Sequence, residues 1–422
     1  MSAGRVSSES VTTTLQRLMG EEAVVAPEAL SSWTVGGAQP LAVGVPSSVE
    51  EVQALMRLAA SEGLGVVPLG GRTDVGCEPP SGRFVALATH RLGGVHDYEP
   101  ADLTVTAGAG VTLEALGATL AARGQWLPVD PPFAPRRTLG GLVATGAAGP
   151  LGTAYGGPRD HVLGLTVVTG DGQVLQLGGK VMKNVAGFDL VKLMVGSRGT
   201  LGVIVSASVR LFPRPEADRL LVASADEPGP LLSLALAVAT GSVVPASAVL
   251  MSPGAVPGVG AVLAVRLQGA TESVSAETAR LPANGPAFRQ ASPEEADELR
   301  KRMRDGAATQ PVVVRASSLP GQLPELLDAV KAALPRGDLV VDALAGGVRC
   351  GMPLEGADAD ALTKLRLRVE TMGGSVTLER APPDLVMRVP AYGPVGRAGA
   401  LEAELRRRFD PGGVLSPGRF VR

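Results

Sequence analysis

Between Ala42 and Leu69 the spacing of apolar positions changes twice. Ala42-Val43-Gly44-Val45 is an unbroken apolar run that stops at Pro46, as a buried strand would. Ser47-Ser48 then precede Val49–Ser61, where Val52, Leu55, Met56 and Ala59 recur at helical spacing. Glu50 and Glu51 fill that helix's first turn, and Gly63 ends it. Gly65–Leu69 returns to strand and runs into Gly70-Gly71-Arg72-Thr73. Paired glycines at a strand end leave no side chain to block a ligand, and successive amides there can converge on a phosphate. A tight strand-to-loop turn is the alternative.

Residues 11–20 predict a short helix, and Val85-Ala86-Leu87, Gly94–Tyr98 and Leu103–Ala107 predict strands. Gly108-Ala109-Gly110 has the start of a dinucleotide fingerprint but lacks its third glycine and the later acidic residue. Thr138-Leu139-Gly140-Gly141 opens a short helix, followed by small residues from Ala144 to Ala148 against which a flat ligand could lie. Leu163–Thr169 and Val174–Leu177 read as a hairpin about Gly170-Asp171-Gly172, and Val203–Phe212 as a strong strand. Arg159 and Asp160 suggest a structural pair.

From Glu216 strand and helix patterns alternate as strand–helix–strand–strand–helix, and from Val312 the order recurs and closes on a final strand, Ser375–Glu379. Two such passes predict an antiparallel sheet with helices on one face. The charged helix between them, Pro293–Arg304, is expected to be a solvated linker.

Composition narrows the chemistry. With 422 residues, two domains are expected, one inserted in the other. Net charge is −2, aromatics are 3% and no long basic run occurs, which argues against nucleic acid. No apolar run is long enough to span a bilayer, and the first twenty residues lack a signal peptide's apolar core. A cytoplasmic protein is expected, reaching a membrane only through partners. Cys77 and Cys350 lack cluster spacing, and His161 is the last of three histidines, so no metal site is expected.

The ordered blocks from Leu41 to Pro213 resemble the vanillyl-alcohol-oxidase or PCMH-type FAD-binding fold. Val181-Met182-Lys183-Asn184-Val185-Ala186-Gly187-Phe188-Asp189, with Asp410 to Arg419, is similar to the FAD-binding E subunit of bacterial glycolate oxidase. The fold class implied is α+β: a two-lobed FAD-binding domain over 38–215, an inserted, doubled ferredoxin-like cap over 216–385, and a tail, 386–422, returning to the first domain. The resemblance implies non-covalent FAD, since no histidine lies between Pro68 and Gly76. It places Pro68, Gly70, Gly71 and Thr73 at the pyrophosphate with Thr138, Gly140, Gly141 and Thr145. Gly202 and Ile204 would lie by the adenosine half, and Pro417 and Arg419 would approach the ring.

Arg198 departs from the family, where many relatives carry glutamate, and the histidine-rich cap motif of related dehydrogenases is missing. The function implied is the FAD subunit of a glycolate or 2-hydroxyacid oxidase, partnered by a catalytic flavoprotein and an Fe–S subunit. A self-sufficient oxidoreductase is the alternative, with Arg388, Tyr392 and Arg419 facing substrate; a flavin-free scaffold is a third. Lys180, Lys183 and Asn184 are candidates beside the flavin. No catalytic acid or base is identified.

Overall fold

The computed structural model describes residues 7–179, 188–256, 258, 260–394 and 398–420. Strands β1 (Val43–Gly44), β2 (Gly65–Leu69) and β3 (Phe84–Ala88) form a parallel sheet in the order β1-β3-β2. The helix Val49–Glu62 crosses between β1 and β2, capped by Ser48 at the Glu51 amide and ended by left-handed Gly63. Its Val52, Leu55, Met56 and Ala59 pack into a core with Val66, Val85 and Leu87. The N-terminal helix, Ser8–Met19, adds Val11 and Leu15.

The chain then lays down β4 (Val95–Glu99), β5 (Thr104–Gly108), the short β6 (Gln125–Trp126), β7 (Val162–Val168), β8 (Val174–Gly178), β9 (Val203–Arg210) and β10 (Phe212–Pro213). Five of these make an antiparallel sheet in the order β4-β5-β9-β7-β8, and β6 pairs with β10. At Gly108 and Gly110 an added Cβ would collide with the Leu92 or Thr89 carbonyl, so these glycines let two backbones meet. Asp160 does not pair with Arg159; its carboxylate accepts from the Gly157 amide (2.9 Å).

β11 (Ala217–Ala225), β12 (Ser247–Met251), β13 (Ala261–Gly269), β14 (Arg289–Gln290), β15 (Val312–Ser317), β16 (Asp338–Asp342), β17 (Gly347–Met352) and β18 (Ser375–Arg380) form one eight-stranded sheet. Its order, β14-β11-β13-β12-β16-β17-β15-β18, is two β-α-β-β-α-β units joined along β12 and β16. One face is covered by helices Pro228–Thr240, Thr271–Ala279, Leu323–Ala333 and Ala359–Thr371, which bury Leu231, Val274, Leu326 and Leu362 against it.

The other face is shared. The helix Pro293–Asp305 covers the first half, burying Ala296, Leu299 and Met303 against Val222, Val249, Val262 and Val340. This corrects the linker expectation. The helix is charged on its outer side, and its three apolar residues supply a narrow packing stripe. At its end the Asp305 carboxylate accepts from the Phe133 amide (2.7 Å), tying the inserted sheet to the first lobe. The second half of the face carries Arg315 and Arg349 and looks onto the glycine turns.

Residues 414–416 return to β2. Val66 donates to the Val414 carbonyl (2.7 Å), and the Ser416 amide donates to the Val66 carbonyl (2.8 Å). The Asp410 carboxylate holds this return by accepting from the Val414 and Leu415 amides (2.9 and 2.7 Å).

Candidate active site

Glycine placement is the starting point. A Cβ on Gly70 would run into the Thr138 side chain, and one on Gly71 into the Arg136 carbonyl. Neither glycine has positive φ; the left-handed residues of these turns are Arg72, Gly76, Gly196, Arg198 and Gly199. Gly70 and Gly71 thus let the turn after β2 lie directly against the segment 136–138. Gly140 does likewise against Ala109, whose Cβ would lie 2.7 Å away. Gly141 differs: an added Cβ would meet only Thr138 Oγ1, at 3.1 Å.

Between these turns lies a narrow cleft of about 70 Å³ lined by Pro68, Gly70, Gly140, Gly141, Thr145, Gly202, Ile204 and Arg419. Residues from four separate segments therefore converge. Gly71, Thr73, Thr138 and Pro417 do not line it. Thr73 faces the adjoining cavity, Thr138 spends its hydroxyl capping the Gly141 amide (3.2 Å), and Pro417 packs over Gly65.

The backbone N–H groups of residues 70–76 donate to no acceptor among the described residues. Amides left unpaired in a half-buried turn call for an outside acceptor. Arg198 closes the cleft on one side. It pairs with Asp74 (2.9 Å), both side chains about one-sixth exposed (15% and 16%), and lies 5.6 Å from the Tyr392 ring centre. Burial pulls the Arg198 pKa down, but Asp74 more than offsets it and the guanidinium stays charged. Arg419 donates to the Arg198 carbonyl (3.0 Å) and to the Val75 carbonyl, pinning both left-handed turns. Amides, small residues and fixed cations together suit the doubly charged pyrophosphate of a dinucleotide.

The cleft shares Asp74, Thr145 and Arg198 with a cavity of about 260 Å³ beneath the inserted sheet. Here Arg315 and Arg349 stand directly opposite each other on β15 and β17. A one-residue bulge in β18, between the Arg380–Val313 and Leu378–Val314 pairs, leaves Glu379 as the extra residue. Both Glu379 and Arg380 thereby face the cavity. Glu379 grips Arg349 through two bonds, 2.7 and 3.1 Å.

The remaining arginines are committed. Arg137 donates to the Pro132 carbonyl and Thr145 Oγ1, Arg72 to the Ser32 carbonyl, and Arg380 to the Thr309 and Gln310 carbonyls. Arg315 makes no hydrogen bond or ion pair among the described residues. It is exposed by residue accessibility, and it lines the cavity. Burial lowers its pKa, with Glu379 opposing.

Burial alone would raise the Glu379 pKa; Arg349 more than reverses this and brings it to about 2, from an ordinary 4.5. A depressed carboxylate pKa stabilises the fold fully above the unfolded value and loses that contribution as pH falls through the folded one. The clamp is therefore expected to weaken between about pH 4.5 and about pH 2. Melting temperatures of wild type and Glu379→Gln over that range check it: the variant's curve should lack this part of the acid loss.

Tyr392 is near Arg198 and stacks on Phe420 (4.6 Å), its pKa pushed up to about 12 by burial. Arg388 is 64% exposed beside Asp360 and lines neither cavity. His161 packs against Phe212, away from both. Lys180, Lys183 and Asn184 lie outside the described residues. Cys77 and Cys350 are buried free thiols, their pKa values pushed up to about 12 by burial. Among the described residues no helix is long and apolar enough to cross a membrane.

Residues 40–178 match the family model described as FAD binding domain. Over 189 residues the chain is 43% identical to a D-2-hydroxyglutarate dehydrogenase of Xanthomonas citri pv. viticola, covering 44% of this chain and 39% of that protein. Over 140 residues it is 46% identical to the glycolate oxidase subunit GlcE of Escherichia coli K12, covering 33% of this chain and 39% of that subunit. The chain thus spans about two fifths of the length of these relatives. A solved structure of p-cresol methylhydroxylase with substrate bound superposes with a TM-score of 0.75 at 18% identity, covering 97% of this chain and 96% of that one. At that identity the likeness shows a shared fold.

Proposed function

From the premise that residues 40–178 are an FAD binding domain by family, we propose that this chain holds FAD non-covalently and serves in the oxidation of a small 2-hydroxy acid. The lobe over 38–215, with the returning tail 386–422, would carry the cofactor, and the inserted sheet over 216–385 would carry the substrate. The amides of 70–76 would take the pyrophosphate, with Gly140, Gly141, Thr145, Gly202 and Ile204 along the cleft and Arg198 and Arg419 as its cations. Bound there, FAD supplies the acceptor for two electrons and a proton.

The observation that carries the substrate reading is Arg315, an unpaired guanidinium facing the cavity that opens onto the cleft. A guanidinium fits a carboxylate in two parallel bonds and fixes the acid's orientation. Arg349, held by Glu379, lines the same wall without competing for the ligand.

Among the described residues the cavity lining holds no histidine, and its two acids, Asp74 and Glu379, are already paired to arginines. A base for the hydroxyl proton is thus not supplied by the lining side chains. This supports a subunit role in which a catalytic flavoprotein and an Fe–S subunit complete the reaction and receive the electrons, as the relation to GlcE suggests. Dye reduction by the single chain over a panel of short 2-hydroxy acids tests it. Turnover well below the roughly 10 per second typical of enzymes is expected, with partners restoring it. Fast turnover by the chain alone would instead establish a self-sufficient oxidoreductase, which the Arg315 site favours as the second reading.

Non-covalent binding has its own test. Acid precipitation is expected to release intact FAD to the supernatant, because the Pro68–Gly76 turn has no histidine to form a bond. Flavin left in the pellet, or FMN in solution, would refute this.

A further inference from the structure

Beyond Arg315 and Arg349 the sheet face continues into a second chamber of about 220 Å³ that shares those two arginines with the first. Its floor follows from strand register. Val249 on β12, Asp342 on β16 and Gly347 on β17 form one cross-strand row, and Val340, Arg349 and Arg315 form the next. Met303, from the helix over this face, and Pro150, from the first lobe, help to enclose it. Gly347 contributes open room: its backbone lies outside the left-handed region, and a Cβ there meets nothing within 4 Å.

Resting on the carboxylate reading of Arg315, we propose that this second chamber takes an uncharged side chain on the 2-carbon of the acid, so that the preferred substrate is longer than glycolate. Glycolate carries no substituent there and leaves the chamber to water. Among the described residues the boundary holds one unpaired cation, Arg315, which matches one carboxylate. The far end holds Asp342, whose carboxylate accepts from the Leu344 and Ala345 amides (both 3.1 Å). A second ligand carboxylate would meet that oxygen-rich end, whereas methylenes would lie against Val249, Val340 and Met303.

Calorimetric binding of glycolate and of each enantiomer of lactate, 2-hydroxybutyrate, 2-hydroxyvalerate and 2-hydroxyglutarate to the FAD-loaded chain tests this. Affinity is expected to rise roughly fourfold per methylene from glycolate to 2-hydroxyvalerate. 2-Hydroxyglutarate should bind more weakly than 2-hydroxyvalerate. Gly347→Leu, which fills the chamber, should lower 2-hydroxyvalerate affinity at least tenfold relative to glycolate, with flavin content confirming the fold. Affinity flat with length, tighter binding of 2-hydroxyglutarate, or an equal loss for all acids in Gly347→Leu would overturn the proposal. Arg315→Gln separates the two readings. If it weakens every acid while length brings no gain, the carboxylate site stands and the tail chamber falls. If no acid binds and Arg315→Gln changes nothing, both fall.

Discussion

Replacing Arg315 by glutamine is expected to weaken binding of a short 2-hydroxy acid by about two orders of magnitude while FAD stays bound. Hydrogen bonds to a charged group contribute about 1.5–3 kcal/mol each, and Arg315 offers the one cavity guanidinium with no protein partner among the described residues. Stability should change little, because Glu379 attracts Arg315 while Arg349, directly opposite it, repels it. Lost binding with little change in stability is what distinguishes a ligand-binding arginine from a structural one. Arg349→Gln should behave in reverse. It strands the carboxylate of Glu379, and with both side chains partly accessible (16% and 21%) the cost is about 1–3 kcal/mol of fold stability. Calorimetry for the ligand and thermal melts for the fold check both variants. An Arg315→Gln protein with unchanged affinity would remove the substrate assignment.

Gly141→Leu is expected to abolish FAD retention and leave the fold intact, whereas Gly71→Leu should damage the fold itself. At Gly141, which lines the cleft, the added Cβ meets only Thr138 Oγ1 at 3.1 Å, and the rest of the leucine would take up cleft space. The helix Leu139–Thr145 that contains it gains from the exchange, since leucine is favoured over glycine in a helix by up to about 1 kcal/mol. At Gly71 the Cβ would strike the Arg136 carbonyl, so the two turns could no longer meet. Flavin absorbance per chain and the melting temperature of the flavin-free protein report the two effects separately. Full FAD occupancy in Gly141→Leu would exclude that glycine from the cradle.

The inserted sheet could be read from the chain because its strands alternate and its helices carry wide apolar faces. Gly347–Met352 and Asp358–Met372 are examples, the first observed unchanged and the second as Ala359–Thr371. The helix Pro293–Asp305 was harder. Ala296, Leu299 and Met303 are three apolar residues within a charged segment, and nothing local says which surface receives them. Arg315 and Arg349 left a faint signal, each the sole charge in a run of apolar or small strand residues. Their pairing depends on cross-strand register, which the sequence does not state, and Glu379 joins them only through a bulge. The glycine turns were visible, but what a side chain on Gly70 or Gly71 would strike, the Thr138 side chain and the Arg136 carbonyl, depends on tertiary packing that the local sequence does not state.

The return of residues 414–416 to β2 sets the order of assembly. Val66 and Leu415 are parallel partners, and Val414 and Leu415 complete the core that also holds Val52 and Val85. During synthesis that core stays open until the whole inserted sheet has emerged. Contacts so distant in sequence carry a large loop-closure cost, which a prefolded insert reduces by bringing its two ends together. The inserted sheet, local in its pairings, is thus the part able to form first. Arg419 reaches the Val75 and Arg198 carbonyls only after that closure. Until residues 414–419 have emerged, a nascent chain therefore leaves this side of the cleft unfinished.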